Sequence, residues 1–356
     1  MIELHYRIGF NTPAFLGNAE QAGQWRTPPI KALLRQWWRV AYAADHRHHV
    51  KVAALRAAEG ALFGAAADGD GKSNQSQVRL RLSHWDKGRL TTWSGLDTQR
   101  VVHPEVKGRE GRGAQVGAHL YLGYGPLTFA AGQTSLKAAA AIQASEAATL
   151  SLAFPDNAEA QRLHRALWLL HHYGTLGGRS RNGWGSFSLK SAHDKTPAFG
   201  AALDASLTLA WRDAMAHDWP QAIGTDATDR PLIWQTDVRS DWQGVMRRLA
   251  EVKIALRTSF RFPHERPDGQ VHDRHWLSYP VTSHKVQTWD RAGLRLPNAL
   301  RFKVRTEADG QLRGVIFHMP CLPPPAFQPS RPAIDRVWQQ VHSHLDANSS
   351  LQRISQ

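Results

Sequence analysis

The reading of this chain starts from one stretch, Gly174-Thr175-Leu176-Gly177-Gly178-Arg179-Ser180-Arg181-Asn182-Gly183-Trp184-Gly185. It follows a segment of helical period, Asn157 to Tyr173, whose Leu163, Ala166, Leu167 and Leu170 share one face, and it precedes a short strand, Ser186 to Leu189. The five glycines permit positive φ angles and close backbone approach, and the forks of Arg179 and Arg181 can each grip a phosphate in bidentate fashion. Such a loop suits a phosphodiester chain, with an unliganded glycine-rich turn as the plainer alternative. It is not a nucleotide-binding P-loop. Trp184-Gly185 stands where Lys-Ser/Thr is needed, and the order is helix, loop, strand rather than strand, loop, helix.

Outward from this loop, residues 3 to 10 alternate as a half-buried strand, residues 29 to 44 read as a helix with Pro29 in its first turn, and Ala53 to Phe63 as a second helix. Strands are expected at Val78 to Leu82, His119 to Leu122, Leu127 to Ala131 and Thr149 to Phe154, with a long loop over 94 to 117. A linker is expected at 191 to 202. Beyond it come a strand at Ser206 to Trp211, an irregular stretch, a helix at about 241 to 256, a hairpin at 300 to 319 turning on Asp309-Gly310, and an amphipathic helix at 333 to 345. The fold class is therefore α+β in two modules, 1–195 and 203–356.

The helix at 29 to 44 has two unlike faces. Ile30, Leu33, Leu34, Trp37 and Ala41 form one stripe; Lys31, Arg35, Arg39 and Tyr42 form another, with Trp38 on the border. Cations at i, i+4 and i+8 beside an aromatic ring would track a nucleic-acid backbone, and a solvated helix face over a core is the competing reading. His46-Arg47-His48-His49 lacks a metal-binding spacing and reads as a basic surface patch. Asp68-Gly69-Asp70-Gly71-Lys72 imitates a calcium loop, but Lys72 and Arg79 stand where oxygen ligands are needed. No metal, cofactor or catalytic constellation emerges.

Composition bounds the partners. The 356 residues carry 44 Lys+Arg against 30 Asp+Glu, a formal charge of +14, of which +10 lies in residues 1 to 200 and +4 beyond. With 14 tryptophans, this balance suits nucleic acid, although solvated surface charge alone also accounts for many basic proteins. The single cysteine, Cys321, excludes an intrachain disulfide. The strand-like start and the lack of a long apolar run predict a cytoplasmic protein without a membrane partner.

Four ordered motifs then resemble the RAMP superfamily of CRISPR-associated proteins: Thr12-Pro13-Ala14-Phe15-Leu16-Gly17; residues 26 to 39, ending Gln36-Trp37-Trp38-Arg39; Glu59-Gly60-Ala61-Leu62-Phe63-Gly64; and the glycine loop. The Trp-Trp-Arg helix and chain length most resemble the two-module subunit near the guide 3′ end of type III-B (Cmr) effector complexes. The resemblance implies two ferredoxin-like (RRM-like) modules, the second degenerate because it has no matching glycine loop. It implies a non-catalytic, RNA-binding subunit of an antiviral ribonucleoprotein, with CRISPR guide RNA and/or target RNA and other RAMP subunits as partners. Carried over, Arg26, Lys31, Arg35 and Arg39 match the family's first basic helix and Gly177, Gly178, Arg179, Arg181, Asn182 and Gly183 its RNA-facing loop; with Trp38, Ser180 and Trp184 beside them, these are the expected RNA-binding residues. The alternative is a RAMP-type endoribonuclease with His46, His48, His49 or His172 as general base, or a metal-dependent one through Asp45 or Asp70.

Overall fold

The alternation of Leu4, Tyr6, Ile8 and Phe10 makes β1 (Ile2–Phe10) a strand with one face fully buried. The computed structural model describes residues 1–66, 73–108, 111–264 and 266–354. The first half continues with α1 (Thr27–Asp45), α2 (Val52–Phe63), β2 (Arg79–Leu82), β3 (Arg100–Gly108), β4 (Gly111–Gly117), α3 (Ala118–Gly123), β5 (Leu127–Ala130), β6 (Gln133–Leu136), β7 (Ala147–Phe154), α4 (Ala158–Tyr173) and β8 (Phe187–Ser191). The second half has β9 (Thr208–Ala210), α5 (Trp211–Ala214), β10 (Ile223–Thr225), β11 (Ile233–Arg239), α6 (Trp242–Ser259), α7 (Gln287–Arg291), β12 (Leu300–Thr306), β13 (Leu312–His318), α8 (Arg331–Asp346) and β14 (Leu351–Arg353). None of the helices is long and apolar enough to cross a membrane among the described residues.

Two four-stranded sheets share one topology. The first is ordered β2-β7-β1-β8 and the second β12-β13-β11-β14, all pairs antiparallel. Counting strands along each half, both orders are second, third, first, fourth, the βαββαβ arrangement of a ferredoxin-like module. Asn157 caps α4 by accepting from the Glu159 amide, and Asp241 caps α6 through the Gly244 amide. The second module is thus complete in topology. It is reduced in its fourth strand, three residues long, and where the first module has its glycine loop it has only a short turn at 347–350.

Three sequence expectations change. Residues 94 to 117 hold the β3–β4 hairpin, whose register slips between His103 and Lys107 and whose Gly111 and Gly113 have φ of 106° and 95°, so alternation was broken at its tip. His119 to Leu122 belong to a helix; Ala118, His119, Leu122 and Gly123 are buried at helical spacing, in a run too short for its period to be read. The stretch taken as irregular contains β11, the inner strand of the second sheet. Its adjacent Ile233 and Trp234 are both buried, and a register shift after Gln235 removes the period of two.

The sheets meet edge to edge, β8 beside β12. The Phe302 amide donates to the Arg181 carbonyl (3.0 Å), and the Val304 amide to the Ser186 hydroxyl (2.8 Å). Asn11 Nδ2 donates to the Val304 carbonyl (2.9 Å), so an open strand edge is closed by the other module. On one face of the second sheet Ile233, Val315 and Phe317 join the core that contains α1 and α4; on the other Trp234, Phe302 and Ile316 pack with α6 and α8. Phe317 lies 5.0 Å from Tyr173 and 6.5 Å from Trp37, ring centroid to centroid. At about 1.5–3 kcal/mol for each large apolar side chain removed from water, this shared face alone is a large fraction of a domain's net stability.

Neutral histidines sit inside this assembly. His318 and His342 are buried with Nδ1 and Nε2 3.0 Å apart, a contact that requires one of the two nitrogens to carry hydrogen and the other to accept. Burial pushes His342 down to about 3 and His172 to about 3, and it pushes His171 down to about 2 with Lys303 adding repulsion. A histidine depressed in the fold contributes stability that is complete above its unfolded value near 6.5 and is lost as pH falls from there toward the folded value. Each such group adds a slope of up to ~1.4 kcal/mol per pH unit over that window. Thermal melting should therefore shift down by many degrees between neutral pH and about pH 5; an unchanged midpoint would mean these rings are not buried neutral.

Candidate nucleic-acid interface

The glycine loop is strapped to the segment after β1. Thr12 Oγ1 donates to the Gly183 carbonyl (2.8 Å) and accepts from the Ser186 amide (3.0 Å), while the Gly185 amide donates to Pro13 and the Gly178 amide to Phe15. Thr12 to Phe15 and the loop are two sides of one structure. Gly177 (φ 91°) and Gly185 (φ 63°) cannot be replaced without strain, since a Cβ would meet the Phe15 carbonyl oxygen at 2.6 Å and the Leu176 carbonyl oxygen at 1.8 Å. Arg179 itself adopts φ 55°, with its exposed guanidinium Nε donating to the Tyr124 carbonyl (2.5 Å). Arg181 reaches the Asn298 carbonyl (2.8 Å) and Asn182 the Leu122 carbonyl (2.7 Å).

The loop opens onto a cleft of about 2000 Å³ between the modules. Its walls are β3, α3, the C-terminal end of α6 and the segment 260–299. From the first half come Lys107, Arg179 and Arg181; from the second come Lys253, Arg257, Arg261, Arg274 and Arg295. Among the described residues lining it, Glu105 is the one carboxylate, and Arg274 Nη1 holds both its oxygens at 2.7 and 2.9 Å. Burial alone would raise Glu105, but Arg274 outweighs it and keeps the carboxyl below the usual range, ionised. Tyr124, 64% exposed, and the ring of Phe262, stacked on His284 at 3.8 Å, supply apolar faces at the edge.

The cations of α1 are elsewhere. Lys31 Nζ donates to Ser76 Oγ (2.6 Å), Arg35 Nε to Glu59 (2.8 Å), and Arg39 forks onto both oxygens of the same buried carboxylate. Burial would raise Glu59, yet Arg39 and Arg35 hold it below the usual carboxylate range. Arg26 donates to the Gly17 carbonyl (3.0 Å). None of these four lines the cleft. Trp38 and Trp184 are fully buried, which corrects the expectation that their rings face RNA. Trp38 Nε1 donates to Glu159 (2.9 Å), and Trp184 packs against Trp93 and Trp242 at the seam, 5.7 and 5.8 Å away.

Most described residues of the nuclease alternative are engaged in contacts of their own, and His172 lies apart from the 45–49 cluster. Asp45 accepts from Arg162 and Arg165; His46 stacks on Tyr42 at 4.1 Å; His48 contacts the Ser206 carbonyl; and His172 is buried against the Gly200 carbonyl. His49 is exposed nearby, and Asp70, with the rest of 68–72, lies outside the described residues. The five cleft cations of the second half escaped sequence reading because they are spread from 253 to 295 with no motif. The signal in the sequence was Lys253-x3-Arg257, one turn of the helix, with Arg261 just past its end.

The sequence profile of the RAMP superfamily matches residues 10–188, from the end of β1 into β8. The chain belongs to the RAMP superfamily. No curated protein matches it. Among solved structures, this RAMP chain is similar to Cmr1 from Pyrococcus furiosus in its apo form, at 16% identity and a TM-score of 0.46, covering 99% of this chain and 98% of that one. It is similar to a chain of the type III-B Cmr-beta complex bound to cognate target RNA, at 11% identity and 0.45, covering 95% and 99%. A chain of a type IV-B CRISPR complex gives 14% identity and 0.28, covering 57% of this chain and 96% of that one.

Breaking the α1–α2 ion cluster tests whether those cations are structural. Glu59→Gln should lower unfolding free energy by about 1–3 kcal/mol, because it weakens charged hydrogen bonds on the buried carboxylate, with water screening the exposed sides of the arginines. Urea unfolding measures it; an unchanged midpoint would leave Arg35 and Arg39 free for another role.

Proposed function

We propose that this RAMP protein is an RNA-binding subunit of a type III CRISPR effector ribonucleoprotein and that the cleft between its modules holds guide or target RNA by its backbone. One observation carries the reading. Eight cations face a single carboxylate that one of them already neutralises, next to a loop that brings backbone close to whatever enters. Such a surface attracts polyanions, and phosphate contacts made by arginine and lysine carry no sequence information. A subunit that must accept many guide sequences needs that indifference. The exposed Tyr124 adds a ring face on which any base can stack. The subtype and the multisubunit setting rest on family membership and on the Trp-Trp-Arg helix resemblance. Neighbouring RAMP subunits in the cytoplasm are its expected company.

Binding of single-stranded RNA by the full chain should weaken steeply as salt rises, because each phosphate neutralised releases a counterion. Replacing the exposed Arg179, Arg261 and Arg295 by alanine together should flatten the slope of log K against log salt by about 2 and weaken unrelated sequences equally. Lys31→Met, on the helix outside the cleft, should change affinity less than about twofold by fluorescence anisotropy. The opposite pattern, loss with Lys31→Met and none with the triple variant, would place RNA on α1 and sink the cleft reading.

A further inference from the structure

The floor of the cleft holds positive charge of a different kind from its rim. Lys107, Arg179, Arg261 and Arg295 are exposed, where water screens them from one another. Beneath them Lys253 and Arg257 stand one helical turn apart on α6, both half-buried, and Arg274 enters from the 260–299 segment at 6% exposure; Arg181, half-buried in the glycine loop, is turned to the Asn298 carbonyl. Lys253 Nζ donates to Asn182 Oδ1 (2.6 Å) and lies 6.0 Å from the ring centroid of Tyr121; Arg257 Nη1 donates to Ser278 Oγ (2.7 Å). Glu105 is the carboxylate of this floor, held by Arg274, whose buried Nε has no hydrogen-bond partner among the described residues. Three cations against one carboxylate leave about two positive charges under cover, which is costly where no anion answers them.

The C-terminal end of α6 does not answer them. A helix end carries the equivalent of roughly half a negative charge, and like charges at i, i+4 repel along the same helix. Burial, with Arg257 and Arg179 close by, pulls Lys253 down to about 7, so the site tends to shed a proton rather than stand unbalanced. An anion entering the floor removes that need. A phosphodiester brings one negative charge, whereas a phosphate monoester brings about −1.5 to −2 and three acceptor oxygens for guanidinium forks. Neighbouring diesters spread such charge along the strand, whereas the monoester brings it to one point, and in RNA a monoester exists only where a strand ends.

We propose that Lys253, Arg257 and Arg274 form a site for the terminal phosphate of an RNA strand, so that the cleft receives a strand end on its floor while the rim follows the backbone leading to it. This rests on the RNA-binding reading and adds an end-specific contact to it. The test compares one oligonucleotide in three forms, with hydroxyls at both ends, with a 5′-phosphate and with a 3′-phosphate, binding to the full chain at moderate salt.

One phosphorylated form should bind at least about tenfold tighter than the hydroxyl form, and which one it is gives the strand's polarity. Lys253→Met with Arg257→Gln should bring that ratio to about one, whereas Arg261→Ala with Arg295→Ala should weaken all three forms and keep the ratio. A second measurement needs no variant. The ³¹P resonance of the bound terminal phosphate should titrate at lower pH than in the free strand, because the floor cations favour the dianion. Equal binding of the three forms, or a ratio that survives Lys253→Met with Arg257→Gln, overturns the end site and leaves RNA binding standing; failure of all three to bind overturns both.

Discussion

Everything in this molecule leans on a lysine buried where lysines are seldom found. Lys303 of β12 is fully shielded from water, has no carboxylate partner among the described residues, and extends its Nζ to the carbonyls of Leu170 and His171 at the end of α4, in the other module. Burial, with Arg305 close by, holds it well below the usual lysine range. Charged or neutral, it donates hydrogen to carbonyls of the helix end, of which Leu170 also accepts from the Gly174 amide, and its Nζ lies over the Phe187 ring, 4.9 Å away. The lysine thus finds its acceptors on the helix terminus of the other module. Their meeting fixes β12 against β8, and that edge fixes where the glycine loop stands relative to α6 and therefore the width of the cleft.

The same strand explains why part of the fold was legible and part was not. Elements whose burial is decided locally, such as β1, α1, α4 and the β12–β13 hairpin, announced themselves by period, caps and the Asp309-Gly310 turn. Elements whose burial is decided by the other half did not. Arg301, Lys303 and Arg305 alternate with Phe302 and Val304 as a solvated strand face would, yet Lys303 points into the partner module and Arg301 lies 6.0 Å over the Trp37 ring. β11 is covered on both faces, so it offered no alternation to read.

The site divided along the same line. The glycine loop was readable because its conformation is set by its own glycines and by Thr12 to Phe15. The helix cations were readable as a stripe but misleading as an address, since Glu59 on α2 claims two of them. Formal charge located half of the matter: the first half carries most of the excess, yet five of the eight cleft cations come from the second. Net charge counts what is present in the chain. Which charges remain available to a partner depends on what each carboxylate has already taken.

The order in which the chain is made gives the α4 terminus a further meaning. By the time residue 191 completes the first sheet, the His171 carbonyl and the outer edge of β8 still wait for partners from residues 302 to 304. A ribosome adds that intervening length before the seam can close, so the first module spends its early life with an apolar face and a strand edge uncovered. The second sheet, in turn, gains its last strand only from residues 351 to 353. During synthesis the protein is therefore most exposed to wrong pairing in its first half, and a binding partner or chaperone that shields β8 at that stage would protect the surface from which the cleft is later built.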